Sequence, residues 1–258
     1  MAKILMAKIL LIDCECAPKL AYVWKFFKEN VGAKQVLDHG YIMSYAAKWY
    51  GSDKIIYNEN RKIDDSKISN KLIKLLDQAD VVVAHNADNF DIPTINSRAI
   101  VNGLTPPSPY KVVDTLKVAR KNFKFESNSL EYLATVLGCS PKLSHKKFPG
   151  FELWLACIQN NEDAWDELRE YNIQDVITLE EVYEKMRPWA PNHPNIGNID
   201  GKSMVCPKCG SDHLQHRGYY KTSVSTFKRF QCQNCGSWPR ARISEKGEYT
   251  SGLLVNAV

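Results

Sequence analysis

The sequence predicts an α/β protein in which a mixed sheet is flanked by helices and followed by a small C-terminal β unit. Three observations predict this architecture. Apolar runs typical of strands open the chain, and later runs alternate with helical patterns. Two Cys-x-x-Cys pairs lie near the C-terminus. A stretch rich in Pro, Gly and Asn, without hydrophobic periodicity, separates the two regions.

Hydrophobic periodicity places the elements in chain order. It predicts strands at Ile9–Cys16, 41–49, 54–57, 81–84 and 111–113. Asp65 is expected to cap the first helix, and further helices are predicted over 92–101, from 115, from 129 to a stop at Gly138, from 151, and over 163–186. The chain then divides into a large domain at 1–187, a linker at 188–203, and a small unit with a tail at 204–258.

Composition and charge exclude several classes of protein. In 258 residues, 44% hydrophobic and 24% charged side chains are ordinary for a globular protein, which excludes disordered, collagen-like and coiled-coil chains. No apolar run reaches the roughly 20 residues of a membrane-spanning helix, and the start is neither a secretion signal nor an anchor. We therefore expect a cytoplasmic protein of bacterial or phage type, with no membrane partner and with reduced cysteines.

The positive charge is unevenly distributed. The formal net charge is +5, and the whole excess lies in the last quarter of the chain. A basic C-terminal region predicts an anionic partner such as nucleic acid.

An acidic pair ends the first predicted strand. Asp13 and Glu15 are two residues apart, so their carboxylates share one face of the strand and Cys14 and Cys16 occupy the other. Such a pair is also typical of a strand that leaves the core, and the two cysteines fit core packing.

A second acidic group follows the predicted strand at 81–84, where α/β folds place ligands. Phe90 and Asp91 begin a helix there. Asp91 is also typical of a helix cap, and Asp88 is an alternative functional acid. His85 fits a satisfied, half-buried histidine better than it fits a metal ligand.

A third group lies in the long predicted helix. Tyr171 and Asp175 are four residues apart and share one helix face. An amphipathic surface stripe produces the same spacing.

The order and spacing of the three groups resemble the DEDD exonuclease superfamily, the DnaQ-like proofreading nucleases of RNase H-like fold. Its D-x-E, N-x-x-x-F-D and Y-x-x-x-D motifs match Asp13 to Glu15, Asn86 to Asp91, and Tyr171 to Asp175. The resemblance covers about residues 9–183. It is closest to the tyrosine branch and to exonuclease domains related to family B polymerases. No polymerase domain follows, so we do not expect proofreading in cis.

The resemblance implies a catalytic set and a metal requirement. Asp13, Glu15, Asp91 and Asp175 would bind two Mg²⁺ or Mn²⁺ ions, and Tyr171 would orient the attacking water. The reaction needs these residue types independently, because two divalent ions about 4 Å apart activate a water and stabilise the leaving oxygen. Hard cations of this kind prefer carboxylate oxygens.

The four C-terminal cysteines predict one structural Zn²⁺. Cys206 and Cys209 are separated by 22 residues from Cys232 and Cys235, which suits a tetrahedral site. A unit this small has little core, so the metal would supply much of its folding energy. The pattern resembles zinc ribbons of some transposases and other DNA-associated proteins.

Candidate nucleic-acid contacts lie near both sites and combine cationic, polar and aromatic side chains. They are Asn86, Phe90, Lys142, Lys146, Lys147, Arg217, Tyr219, Tyr220, Lys228 and Arg229. The basic loop before residue 150 fits a solvated connector equally well. The aromatic residues of the ribbon also fit a cover for its small core, with a protein as the partner.

These observations lead us to expect a 3′→5′ exonuclease that acts on DNA, with a zinc ribbon that helps to hold the strand. An exoribonuclease is the alternative within the same chemistry. A non-catalytic nucleic-acid-binding module or a scaffold is the alternative from another class. Four converging acids favour catalysis, because a pure binder has no use for them.

Overall fold

The computed structural model describes residues 7–140, 147–202 and 204–245. Two compact units divide the chain: one is Lys8–Lys185, and the other contains Ala7 and the residues from Met186 onwards. None of the helices in the described part of the chain combines the length and apolar character that crossing a bilayer requires.

The predicted elements occur in the predicted order among the described residues, together with three short elements that were not predicted (Leu20–Ala21, Val36–Asp38 and Ile196–Ile199). They are β1 (Ile9–Cys16), β2 (Leu20–Ala21), β3 (Val36–Asp38), β4 (Ile42–Trp49), β5 (Ile55–Glu59), α1 (Ser66–Leu76), β6 (Val81–Ala84), α2 (Asp91–Val101), β7 (Lys111–Asp114), α3 (Thr115–Asn122), α4 (Leu130–Leu137), α5 (Glu152–Ile158), α6 (Glu162–Met186), α7 (Ile196–Ile199), β8 (Leu214–Lys221) and β9 (Thr226–Cys232).

A five-stranded mixed sheet forms the centre of the large unit, in the order β5-β4-β1-β6-β7. β4 runs antiparallel to β1 and to β5, whereas β6 runs parallel to β1 and β7 parallel to β6. The first four residues of β1 are all buried, as expected for a central strand covered on both faces. The predicted mixed sheet with flanking helices is confirmed.

Helices α1 and α2 pack on one face of this sheet. Leu72 and Leu76 of α1 are fully buried against Leu10 and Ile12 of β1. Cys14 belongs to the same apolar cluster, as predicted. Each buried leucine side chain contributes about 1.5–3 kcal/mol of transfer free energy, so this face fixes β1 firmly beneath the helices.

Asp65 precedes α1 as predicted, but its side chain does not cap the helix. Its carboxylate is fully buried and accepts hydrogen bonds from Arg98 Nε (2.7 Å), Asn102 Nδ2 (2.7 Å) and the Ile42 N–H (3.1 Å). Burial opposes ionisation, yet the bonds from Arg98 and its neighbours hold the pKa of Asp65 below its usual value. The pair of Asp65 and Arg98, with the Ile42 N–H, therefore connects the start of α1 with α2 and β4.

The small unit contains an antiparallel hairpin formed by β8 and β9. Part of the predicted linker folds with it. The Ile196 N–H at the start of α7 donates to the Pro207 carbonyl (2.8 Å). At Gly197 a Cβ atom would lie only 2.5 Å from Val205 Cγ2. The predicted boundaries at residues 187 and 203 stay predictions.

Candidate active site and zinc centre

Three of the predicted carboxylates converge beside the central strand. One oxygen from each of Asp13, Glu15 and Asp175 lies within 4.8 Å of the others. The strand alternation of β1 places the first two on one face, and α6 brings Asp175 to them. Oxygens on opposite sides of a Mg²⁺ ion are about 4.2 Å apart, because each Mg–O bond is about 2.1 Å. The donor type and spacing therefore fit a divalent cation.

Asp91 stands outside that group of three but lies beside Asp13. It is 2% exposed and occupies the first position of α2. The parallel pairing of β1 with β6 ends at Leu11 and Val83. Beyond this point, the Cys14 N–H of β1 donates to Asp91 Oδ1 (3.1 Å). Burial, followed by the charge of Asp13, raises the pKa of Asp91 well above its ordinary value.

Asn172 fixes the Asp13 carboxylate, a role that sequence reasoning missed. Its Nδ2 donates to Asp13 Oδ2 (2.6 Å) and to the Asp13 carbonyl (3.1 Å). Its own oxygen accepts from Ser44 Oγ (3.0 Å). Asn172 and Ser44 are fully buried. The available signal was a polar residue on the buried stripe of a long helix.

Trp154 in α5 fixes the Glu15 carboxylate, a role that sequence reasoning also missed. Its indole Nε1 donates to Glu15 Oε2 (3.1 Å). The same ring meets Tyr171 edge to face, with centroids 6.3 Å apart. Trp154 therefore contacts both Glu15 and Tyr171.

A single carboxylate orders the turn that leads into α2. Asp114 accepts from the Asn86 N–H (3.1 Å) and the Asp88 N–H (3.2 Å), and it also caps α3 through the Leu116 N–H (3.0 Å). Asn86 adopts a φ of 73°, a left-handed conformation that asparagine tolerates better than most residues. These bonds fix the path of the chain between β6 and α2.

The two other polar residues considered near this turn are engaged elsewhere. Asp88 pairs with Lys117 at 2.7 Å on the surface. His85 contacts Thr115 Oγ1 through Nδ1 and the Asn128 carbonyl through Nε2, each at 2.9 Å. His85 is thus a histidine satisfied by protein atoms, as predicted.

A cleft of about 720 Å³ lies next to the carboxylates. Phe90, Phe151 and Trp154 line it, together with Lys19 and His39. Trp154 both lines the cleft and donates to Glu15, so this one side chain connects the cleft with the acidic group. The cleft thus combines flat aromatic surfaces with the charge of Lys19.

The basic loop before α5 is described only in part. Lys147 pairs with the Asp163 carboxylate and lies 5.9 Å from the Phe148 ring centroid. Lys142 and Lys146 lie outside the described residues.

The four C-terminal cysteines form a compact cluster. Their sulfur atoms lie within 4.8 Å of one another, with Cys206 Sγ 3.7 Å from Cys235 Sγ and Cys209 Sγ 3.6 Å from Cys232 Sγ. A tetrahedral Zn²⁺ with Zn–S bonds of about 2.3 Å places its sulfurs about 3.8 Å apart. The spacing and the thiol donors fit one zinc ion.

The surroundings of these sulfurs support the same assignment. Gly210 and Gly236 have φ values of 75° and 78° and close one turn around each knuckle. Ser237 Oγ lies 3.1 Å from Cys206 Sγ. A hydrogen bond from Cys209 lowers the pKa of Cys206 to about 4, and the same bond raises the pKa of Cys209.

The predicted nucleic-acid contacts of the hairpin differ in their availability. Arg229 donates to the Arg217 carbonyl (3.0 and 3.1 Å) and stacks on Trp238. Lys228 lies 3.8 Å from Glu245. Tyr219 and Tyr220 are about half exposed.

Arg217 Nε donates to Gln215 Oε1 (3.0 Å). The two tyrosines have partners as well: Tyr219 meets the His216 ring edge to face, and Arg240 lies over the Tyr220 ring.

Comparison with known proteins adds two findings. A sequence-family model described as RNase_H superfamily matches residues 29–187. The structure of the family B DNA polymerase from the hyperthermophilic archaeon Pyrobaculum calidifontis is similar in fold, with a TM-score of 0.54 and 15% identity. The match covers 86% of this chain but only 32% of that one, so the polymerase is far longer than the part compared. No curated protein sequence matches the chain.

Proposed function

The chain belongs to the RNase_H superfamily, and from that premise we propose that it is a metal-dependent 3′→5′ exonuclease that hydrolyses phosphodiester bonds of DNA. The family and fold support a nuclease that uses divalent cations. The observation that carries the finer proposal is the convergence of Asp13, Glu15 and Asp175 within 4.8 Å. Asp91 supplies a fourth carboxylate beside Asp13.

Each residue of the site has a distinct task in this proposal. When bound, two Mg²⁺ or Mn²⁺ ions supply an activated water and stabilise the leaving oxygen. Asp13 would hold both ions, Glu15 and Asp175 the one on the nucleophile side, and Asp91 the other. The hydroxyl of Tyr171 both donates and accepts hydrogen bonds, so it would orient the attacking water.

Neighbouring side chains keep the ligands in place. The amide of Asn172 fixes one oxygen of Asp13, and the indole of Trp154 fixes one oxygen of Glu15. Partners of this kind orient the metal ligands directly and commonly contribute 10–100-fold in affinity or activity.

The cleft supports a single-stranded 3′ end as the substrate. Phe90 and Phe151 present exposed aromatic faces on which terminal bases can stack. DNA is preferred to RNA in the proposal because the similar solved structure is that of a DNA polymerase and the sequence motifs resemble polymerase-type exonucleases.

The small unit would hold one structural Zn²⁺ and assist in binding the strand. Its cysteine spacing fits the metal. Tyr219 and Tyr220 would supply stacking surfaces, and the surrounding positive charge would attract phosphates. A protein partner for the same surface is the alternative.

A gel time course with 5′-labelled strands tests the proposal. Single-stranded DNA and RNA of equal sequence are incubated with the full chain in Mg²⁺, in Mn²⁺ and in EDTA. We expect a metal-dependent ladder that shortens from the 3′ end, faster on DNA than on RNA.

Each other outcome of this time course has a definite meaning. Faster shortening of the RNA would replace DNA by RNA as the substrate. Internal cleavage would refute exonucleolytic action. Retention of strands without cleavage in any metal would make the protein a binding module.

A further inference from the structure

An excursion between β1 and β4 presents aromatic side chains to solvent. Trp24, Phe26 and Phe27 are 92%, 93% and 84% exposed, and Tyr22 is also exposed. Contiguous exposed apolar groups of this size mark interaction surfaces. We call residues 22–28 the aromatic loop.

The aromatic loop is held by its own polar groups rather than by an apolar core. The carboxylate of Glu29 accepts from the Trp24 N–H (3.1 Å), the Lys25 N–H (2.6 Å) and Gln35 Nε2 (3.1 Å). Lys28 has a φ of 54°, and this left-handed turn lies directly before Glu29. The loop therefore folds around a polar centre and leaves its aromatic rings outside.

The stem of the loop is also a wall of the cleft. Pro18, Lys19 and His39 flank the short β2–β3 pair and line the cleft beside the carboxylates. Gly40 permits the close packing of this stem, since a Cβ atom there would lie 2.6 Å from the Ala17 carbonyl oxygen. The loop and the cleft therefore share this stem.

The charge of the exposed surface is positive. Between β1 and β4 the chain carries four lysines, Lys19, Lys25, Lys28 and Lys34, and two acids, Glu29 and Asp38. The Glu29 carboxylate is turned towards backbone N–H groups, and the bond from Trp24 lowers its pKa. Cations interleaved with aromatic rings are the combination that single-stranded nucleic acid binds, through phosphates and stacked bases respectively.

We propose that the aromatic loop binds the single strand that extends from the cleft, with bases stacked on Trp24, Phe26 and Phe27 and phosphates beside Lys25 and Lys28. The inference deepens the proposed nuclease function and rests on it for the position of the strand. Trp24 is five residues from Lys19, so their Cα atoms are at most roughly 18 Å apart. A stacked strand that advances about 3.4 Å per nucleotide covers this distance in about five nucleotides.

Strand length provides the test. The variant Trp24→Ser/Phe26→Ser/Phe27→Ser is compared with the full chain and with a matched control, Ile100→Ser/Val101→Ser, whose side chains are exposed at the end of α2. Cleavage kinetics in Mn²⁺ are measured on single strands of about 3 and about 12 nucleotides. Binding of the longer strand in EDTA is measured by fluorescence anisotropy.

The loop variant should raise KM for the longer strand about tenfold or more, because each lost stacking contact is worth about that factor. Its kcat and its KM for the short strand should stay within about twofold of wild type, and the control should change neither. Circular dichroism checks that all three proteins are folded. An equal KM for wild type and loop variant on the longer strand would overturn the inference.

Two additional measurements distinguish nucleic acid from other ligands of the aromatic loop. Flotation with phosphatidylserine vesicles and light scattering are applied to the same proteins. A loop variant that loses vesicle binding or changes oligomeric state, yet binds the longer strand normally, refutes the inference in favour of a lipid surface or a second copy. If wild type cleaves neither strand, the nuclease proposal fails, while the EDTA binding arm still decides the role of the loop.

Discussion

Replacement of Asp91 by Asn is expected to stabilise the protein in the absence of Mg²⁺ and Mn²⁺ while abolishing nuclease activity. The Asp91 carboxyl is buried beside Asp13, and both features raise its pKa well above the ordinary value. Asparagine keeps the shape and the oxygen that accepts from the Cys14 N–H. It removes the charge that the buried position disfavours and replaces the second carboxylate oxygen by an NH2 group, which donates hydrogen bonds.

The magnitude follows from proton linkage. Because the pKa of Asp91 is higher in the folded than in the unfolded protein, its contribution to stability is fully present below the unfolded value of about 3.9 and is lost as pH rises through the folded value. Each pKa unit by which the folded value exceeds the unfolded value lowers the stability of the folded protein by about 1.4 kcal/mol near neutral pH. We therefore expect a gain of at least about 1 kcal/mol for the variant, or roughly 2–4 °C in Tm.

Thermal unfolding between about pH 4 and pH 8, in buffer freed of Mg²⁺ and Mn²⁺, measures this gain. Asp53→Asn is the matched control, because Asp53 is an exposed acid in the turn between β4 and β5. The advantage of Asp91→Asn should grow with pH, and the control should follow wild type. A variant that is no more stable than wild type at neutral pH would refute the electrostatic reasoning, and a fully active one would refute the site.

Three further changes test the supporting residues and the zinc centre. Asn172→Ala should lower activity and Mn²⁺ affinity about 10–100-fold, because Asp13 loses its fixed orientation; a Mn²⁺ titration of the rate measures both. Trp154→Phe keeps an aromatic ring but loses the hydrogen bond to Glu15, so half of the maximal rate should require about tenfold more Mn²⁺. An unchanged Mn²⁺ requirement would contradict the role assigned to Trp154. Cys232→Ser should reduce the bound zinc, measured by atomic emission, from one ion per chain to none. The hairpin should unfold, while the large unit keeps its melting temperature. Retention of zinc would contradict the four-sulfur site.

Hydrophobic periodicity predicted the central elements because those elements are buried by their own apolar residues. Ile9–Cys16 and Val81–Ala84 are strands at the predicted residues, and Gly138 ends α4 in a left-handed conformation. The excursion between β1 and β4 was not predicted. Its strands are two and three residues long, and its aromatic rings point to solvent, contrary to the usual partition of apolar side chains.

Side-chain partners were much less accessible to sequence reasoning than backbone elements. Asn172 and Trp154 bond to acids that lie 159 and 139 residues away in sequence, so no local pattern reveals them. For Asp65, in contrast, a local pattern was present but gave a wrong prediction. Its position before a helix predicted a cap, but its carboxylate pairs with the partly buried Arg98 instead, since a charged pair outweighs a single capping bond.

The acids were proposed from the resemblance of three motifs in order and spacing to those of the DEDD superfamily, since each acidic group by itself also fitted a structural role. Asp13 and Glu15 alternate on one strand face, and Asp175 lies one helical turn from Tyr171.

Release of mononucleotides from a 3′-labelled DNA strand in Mn²⁺ tests the central claim most directly. The assay compares wild type with Asp175→Asn and with Asp166→Asn, an exposed acid on the same helix. We predict release by wild type and by Asp166→Asn, and its loss in Asp175→Asn. Release by Asp175→Asn at the wild-type rate would contradict the assignment of the active site.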